Sequence, residues 1–190
     1  MTILFKFIFI FTSLFFLNSC GFSNTTNNTT VINKEFNSRY KESRKKITGK
    51  LSASEYTEMK TLLENELGKV ISDKQNILIN YDQKAPNCIL LASSENNVVH
   101  VLRNRVRISD EISRKYNTID FFVYNPNSYF ADLYASDSFF KKDSGFFFTN
   151  IFTFHENCQA FYILKSNGEF LKFYGEDYFS EVKAFLEKNN

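Results

Sequence analysis

Apolar and polar positions change rhythm along this chain in a way that predicts alternating helices and strands. Ser52-Ala53-Ser54-Glu55 has the form of a capping box, a Ser/Thr followed three residues later by Glu at a helix start. Tyr56, Met59, Leu62, Leu63 and Leu67 then recur at helical spacing, and Gly68 suits the C-terminal cap. Asn76 to Tyr81 is a short, almost continuous apolar run and predicts a buried strand. From Ser94 to Tyr116 the spacing of Val98, Val101, Leu102 and Ile112 predicts a helix, although Val99/Val101 and Val106/Ile108 also fit strand alternation. Thr118 to Tyr124 reads as a second strand closed by Asn125-Pro126. Residues 127–154 carry no clean period, and Phe139-Phe140 and Phe146-Phe147-Phe148 are expected to be core or interface aromatics. Phe161 to Leu164, the Ser166-Asn167-Gly168 turn and Phe170 to Phe173 predict a hairpin. Asp177 to Lys188 predicts a final amphipathic helix with Phe179, Val182, Phe185 and Leu186 inward.

The amino-terminal pattern is different in kind. Lys6 is followed by an apolar run, Phe7 to Leu17, and then Asn18-Ser19-Cys20. The run is too short to span roughly 30 Å of hydrocarbon as a helix, and its order is that of a cleaved signal peptide. Leu17, Ser19 and Cys20 resemble the bacterial lipobox, which implies a signal peptide at 1–19 and acylation of Cys20. Several acyl chains would then hold the protein at a membrane, and the location expected is the bacterial cell envelope, periplasmic or outer-membrane associated. The polar tract that follows reads as a flexible tether over 20–50, with the folded domain at 51–190. Arg39, Lys41, Arg44, Lys45, Lys46 and Lys50 form a basic cluster within it, read as a solvated segment, or alternatively as a contact with anionic headgroups.

Composition narrows the rest. Hydrophobic residues make up 43% of the chain, with 23 Phe, no Trp and only 2 Pro, so the core is expected to be filled by Phe, Tyr, Ile and Leu. A formal charge of +2 is too small to argue for a nucleic-acid partner. With Cys20 acylated, Cys88 and Cys158 remain as an even pair in an oxidising compartment, and neither belongs to a Cys-x-x-Cys. Spacing alone does not decide whether they meet. His100 reads as structural or exposed, and Asp132, Asp137 and Asp143 form no recognisable acid–base set. Glu176-Asp177 reads as the acidic start of the last helix. No Ser–His–Asp pattern, phosphate loop or nucleotide fingerprint is present in the sequence.

From about Gly68 to Lys188 the order strand, cysteine loop, helix, strand, insertion, hairpin, helix resembles the thioredoxin-like superfamily. Ile77-Leu-Ile-Asn-Tyr81 with Ala85-Pro-Asn-Cys88 resembles the first core strand and active-site loop of envelope redoxins, and Phe161 to Phe170 resembles their hairpin. The resemblance implies a three-layer α/β fold, a central mixed sheet flanked by helices. Ala85 then stands where the family has its nucleophilic cysteine, followed by Pro86 and Asn87, and Gln159 stands at its cis-proline position. It also implies that Cys158 lies against the loop, so that Cys88 and Cys158 form a disulfide, either a staple or a working redox pair. A narrower stretch, His155 to Gly175, is similar to the copper-delivery proteins of the Sco type and implies, as an alternative, copper held by Cys88, Cys158 and His155. Three functions follow as expectations: a membrane-anchored thiol–disulfide protein, a copper-binding protein, and a non-enzymatic binding or structural lipoprotein with an envelope partner. One competing reading would undo the alignment, a tight hairpin between Ile77–Tyr81 and Cys88–Ala92.

Overall fold

A computed structural model describes residues 31–177 and 179–188. The expected signal peptide, Cys20 and the first part of the tether therefore lie outside the described residues. Six strands form one mixed sheet: β1 (Lys45–Lys50), β2 (Asn76–Asp82), β3 (Thr118–Tyr124), β4 (Phe140–Lys142), β5 (Gln159–Leu164) and β6 (Glu169–Tyr174). Their order across the sheet is β1-β6-β5-β2-β3-β4. β2, β3 and β4 run parallel, whereas β5 is antiparallel to β2, β6 to β5 and β1 to β6.

Helices α1 (Ser38–Ser43), α2 (Ala53–Leu67), α3 (Glu95–Lys115), α4 (Ala131–Ala135) and α5 (Phe179–Glu187) surround the sheet. Strand alternation sorts the core into two faces. Ile77, Ile79 and Tyr81 of β2 point to one side, where Leu63 and Leu67 of α2 meet Phe147, Ile151 and Phe152. Leu78 points to the other, packing with Phe161, Ile163, Leu171, Tyr116 and the α5 residues Val182 and Leu186. Each of these buried aliphatic side chains contributes about 1.5–3 kcal/mol by leaving water.

The local signals explain the boundaries. Ser52 and Glu55 complete a reciprocal capping box at α2, and Gly68 closes it in the left-handed conformation. α3 forms as a helix, which resolves its ambiguous alternation, with Val98 and Leu102 buried. Val101 is instead 37% exposed, because it falls at the edge of the stripe that Val98 and Leu102 define. The aromatic-rich stretch 127–154 folds as α4, β4 and a single π-helical turn, Phe147–Ile151. Phe147 is buried there, Phe146 and Phe148 pack against the same core, and Phe139 remains half exposed.

The sheet takes in Lys45–Lys50, so ordered structure reaches well upstream of the boundary drawn at residue 51. β1 is a polar edge strand held by its backbone register from Lys45–Tyr174 to Lys50–Glu169, and its lysines discourage further strand pairing. The competing hairpin is not formed: β2 pairs with β3 and β5, and residues 89–92 make a 3-10 turn.

The hairpin turn itself is tightly constrained. Gly168 has φ +85°, and a Cβ there would sit 2.9 Å from the Leu51 carbonyl oxygen. Gly168→Ala is expected to cost about 1–3 kcal/mol, read as a drop in the urea midpoint at constant slope.

Candidate functional site

β2 ends under a loop that places most of the residues singled out from the sequence. Gln83 N–H donates to the Cys158 carbonyl, and its side-chain amide donates to the carbonyls of Phe154 and Asn157. Ala85 is buried and its carbonyl accepts from the Tyr129 hydroxyl at 3.0 Å. The Pro86 carbonyl accepts from the Asn33 N–H at 2.8 Å. Asn87, also buried, donates to the Glu156 carbonyl from both its backbone and its side chain. Gln159 opens β5, and its carbonyl accepts from the Gly175 N–H.

This loop brings Cys88 against Cys158, and the two form a disulfide with a Cα–Cα distance of 5.2 Å. Both are buried, at 0% and 4% exposure, in a cluster with Ala85, Leu90, Val98, Leu102, Tyr124 and Tyr134.

A carboxylate completes the site. The 3-10 turn after Cys88 leaves its first N–H groups without intrahelical partners. Glu176 supplies the acceptors: Oε1 takes the Ile89 N–H at 2.5 Å and Oε2 takes the Leu90 N–H at 2.8 Å. Oε1 also lies 3.3 Å from Cys158 Sγ. Burial pushes the Glu176 carboxyl up to about 7, against the opposing pull of the two N–H groups and of Arg105. Glu176 therefore does not begin the last helix, as its sequence neighbourhood suggested; it caps a turn 87 residues away. Nothing local in the sequence marks that role.

A buried ion pair lies behind this arrangement. Asp82, at the end of β2, accepts from Arg105 of α3 through both carboxylate oxygens, at 3.0 and 3.2 Å. The Tyr134 hydroxyl donates to the same carboxylate at 3.1 Å. Asp143, for which the sequence offered no role, accepts from the Tyr81 hydroxyl at 2.7 Å and from the N–H groups of Phe147 and Phe148, so it anchors the π-helical turn.

His155 is engaged elsewhere. Its ring stacks on Phe148 with centroids 3.8 Å apart, and its Nε2 lies 3.4 Å from the Phe148 carbonyl. Among the described residues, the group of possible ligand atoms within 4.8 Å of one another is Cys88, Cys158 and Glu176, without His155. His100 is exposed on α3. No helix among the described residues is long and apolar enough to cross a membrane.

No protein-family model matches this chain, and a search of curated proteins finds no match. The arrangement sets a carboxyl pushed up to about 7 beside a buried disulfide, where it can give or take a proton at the sulfur.

Proposed function

We propose that this chain is a lipid-anchored envelope protein whose thioredoxin-like domain exchanges its Cys88–Cys158 disulfide with the dithiols of partner proteins. The observation that carries the reading is the Glu176 carboxylate 3.3 Å from Cys158 Sγ. Supporting the fold assignment, the cysteine loop follows the central strand β2, α3 returns the chain to parallel β3, and Cys158 directly precedes antiparallel β5. Supporting the anchor are Leu17, Ser19 and Cys20.

In this reading a partner thiolate attacks Sγ of Cys158, the less buried residue of the two, and the bond to Cys88 breaks with Cys88 leaving as thiolate. The partner's second thiolate then cleaves the mixed disulfide and releases Cys158. The partner loses two electrons, and its two protons end on Cys88 and Cys158, one of them by way of Glu176.

Full burial of Cys88 favours a second reading, in which the bond is a staple in a non-catalytic binding or structural lipoprotein. The copper alternative fits less well. Cu(I) favours thiolate and imidazole, whereas the sulfurs here are bonded to each other and the third donor is a carboxylate.

The test is a redox titration of the purified protein against a glutathione series, with alkylation before and after. A potential clearly above about −300 mV supports exchange, and one below it supports the staple.

Glu176 makes a separate pH prediction. The folded carboxyl holds its proton up to about 7, whereas the unfolded one releases it near 4.5. The folded state thus binds more protons between these values, so stability is greatest below the lower pKa and falls as pH rises to the upper one. The expected loss is on the order of 2–3 kcal/mol, visible in urea midpoints at pH 4.5 and 8. In Glu176→Gln that pH dependence should flatten; an unchanged slope would place the titration elsewhere.

A further inference from the structure

Three extended segments meet side by side at the disulfide, and each presents a buried asparagine: Asn33, Asn87 and Asn157. In the second and third, the next residue is the cysteine. Asn33 N–H donates to the Pro86 carbonyl and the Asn33 carbonyl accepts from Cys88 N–H, both at 2.8 Å. Asn87 bridges in the same sense to the third segment, with its carbonyl accepting from Cys158 N–H at 3.0 Å. The arm from residue 32 to 43 is thereby tied to both sides of the bond. On the Cys88 side, the Asn33 side chain donates to the Asn87 side chain at 3.0 Å, and Ile32 packs on the cysteine cluster. On the Cys158 side, Asn157 donates to the Ser43 carbonyl at 2.8 Å and accepts from the Ser43 hydroxyl at 2.9 Å. Between them, buried Tyr40 accepts from the Glu176 N–H at 2.5 Å. The intervening positions Lys34, Glu35, Phe36, Ser38, Arg39, Lys41 and Glu42 are exposed, so these few anchors hold the arm.

We propose that this arm is a redox-gated strap, docked while Cys88 and Cys158 are bonded and released when they are reduced. It rests on the exchange reading only in needing the bond to be reducible. A dithiol reductant gives up two electrons and two protons, becomes a disulfide itself, and leaves two thiols where one S–S bond stood. A covalent contact then becomes a van der Waals one, and the sulfurs move apart. The arm's partners belong to the two segments that the bond holds together, and hydrogen bonds weaken steeply once distance and angle slip. Docking and oxidation therefore favour each other, and by linkage each must favour the other by the same factor. The strap is also where the chain leaves the domain toward its proposed anchor, so release lengthens the domain's reach from the membrane.

The test uses the full chain in detergent, digested briefly with trypsin in oxidised form and in dithiothreitol. Cleavage after Lys34, Arg39 and Lys41 is read by mass spectrometry against Arg107 on α3. The expected result is about tenfold faster cleavage of the arm on reduction, with Arg107 unchanged. Asn33→Ala should correspondingly make the bond easier to reduce, read as a larger reduced fraction at equilibrium across a dithiothreitol series. Equal arm cleavage in both redox states overturns the strap, and so does a joint rise at the arm and Arg107, which would mean that the whole domain loosens. If dithiothreitol fails to reduce the bond, the exchange reading and the strap fall together; if it reduces the bond, Cys88→Ala/Cys158→Ala should reproduce the faster arm cleavage, and an arm as resistant as in the oxidised protein overturns the strap alone.

Discussion

Arg105→Leu is expected to destabilise the domain by about 3–5 kcal/mol, the usual cost of leaving one member of a buried ion pair without its partner. The side chains of Arg105 and Asp82 are 7% and 4% exposed, and the fork is bidentate. Removing the guanidinium strands the Asp82 carboxylate at the end of the central strand, with the Tyr134 hydroxyl still donating to it. Replacing both partners has a different outcome. Asp82→Leu/Arg105→Met removes both charges together and should recover most of the loss, since an apolar pair of similar volume can match a buried salt bridge. It leaves the buried Tyr134 hydroxyl without its acceptor, a cost of about 1–3 kcal/mol, and adding Tyr134→Phe should remove that remainder. Urea unfolding of the single, double and triple variants closes the cycle. If Arg105→Leu costs no more than the triple variant, the pair carries no coupling energy and the idea fails. Because Arg105 also holds the Glu176 carboxyl down, the same substitution should move the midpoint of the Glu176 titration upward.

This pair also marks how far the sequence could be read. Elements whose information is local were legible: the capping box at Ser52–Glu55, the left-handed Gly68 and Gly168, the apolar run of β2 and the stripe on α5. Each depends on residues within a turn or a strand of one another. β1 was missed because it attaches through its backbone to β6 and exposes nearly all of its side chains, so no apolar pattern was required of it. Residues 127–154 were unreadable for a related reason. Asp143 is fixed by Tyr81, 62 residues earlier, and Tyr134 by Asp82, 52 residues earlier. At the site, the two cysteines were recognisable as a pair, but their meeting depends on β2 and β5 lying side by side. Glu176 was invisible for the same reason, since the N–H groups it serves follow β2, 86 and 87 residues earlier in the chain. The copper set named from the sequence put His155 where the structure puts Glu176, which replaces an imidazole by a hard carboxylate.

Loss of the Cys88–Cys158 bond is expected to lower stability by about 4 kcal/mol, the chain-entropy value for a loop of this size, given a sequence separation of 70. That is a large share of the roughly 5–15 kcal/mol that holds a typical domain. Cys88→Ala/Cys158→Ala measures it with little added chemistry, because the cysteine cluster is apolar on most sides and no buried hydroxyl is introduced. The urea midpoint should fall and the slope should rise, since an unfolded chain without the cross-link exposes more surface. The same number constrains the redox chemistry. A bond that favours the folded state by about 4 kcal/mol is, by the same cycle, harder to reduce in the folded protein than in the unfolded chain by about 85 mV. An exchanger must give back part of that stabilisation at each turnover, and in the proposed mechanism release of the arm and protonation at Glu176 would absorb it. Equal unfolding free energies, midpoint times slope, for oxidised protein, reduced protein and the alanine pair would remove the bond from both roles, because a cross-link that leaves the folding equilibrium unchanged can be neither staple nor strap lock.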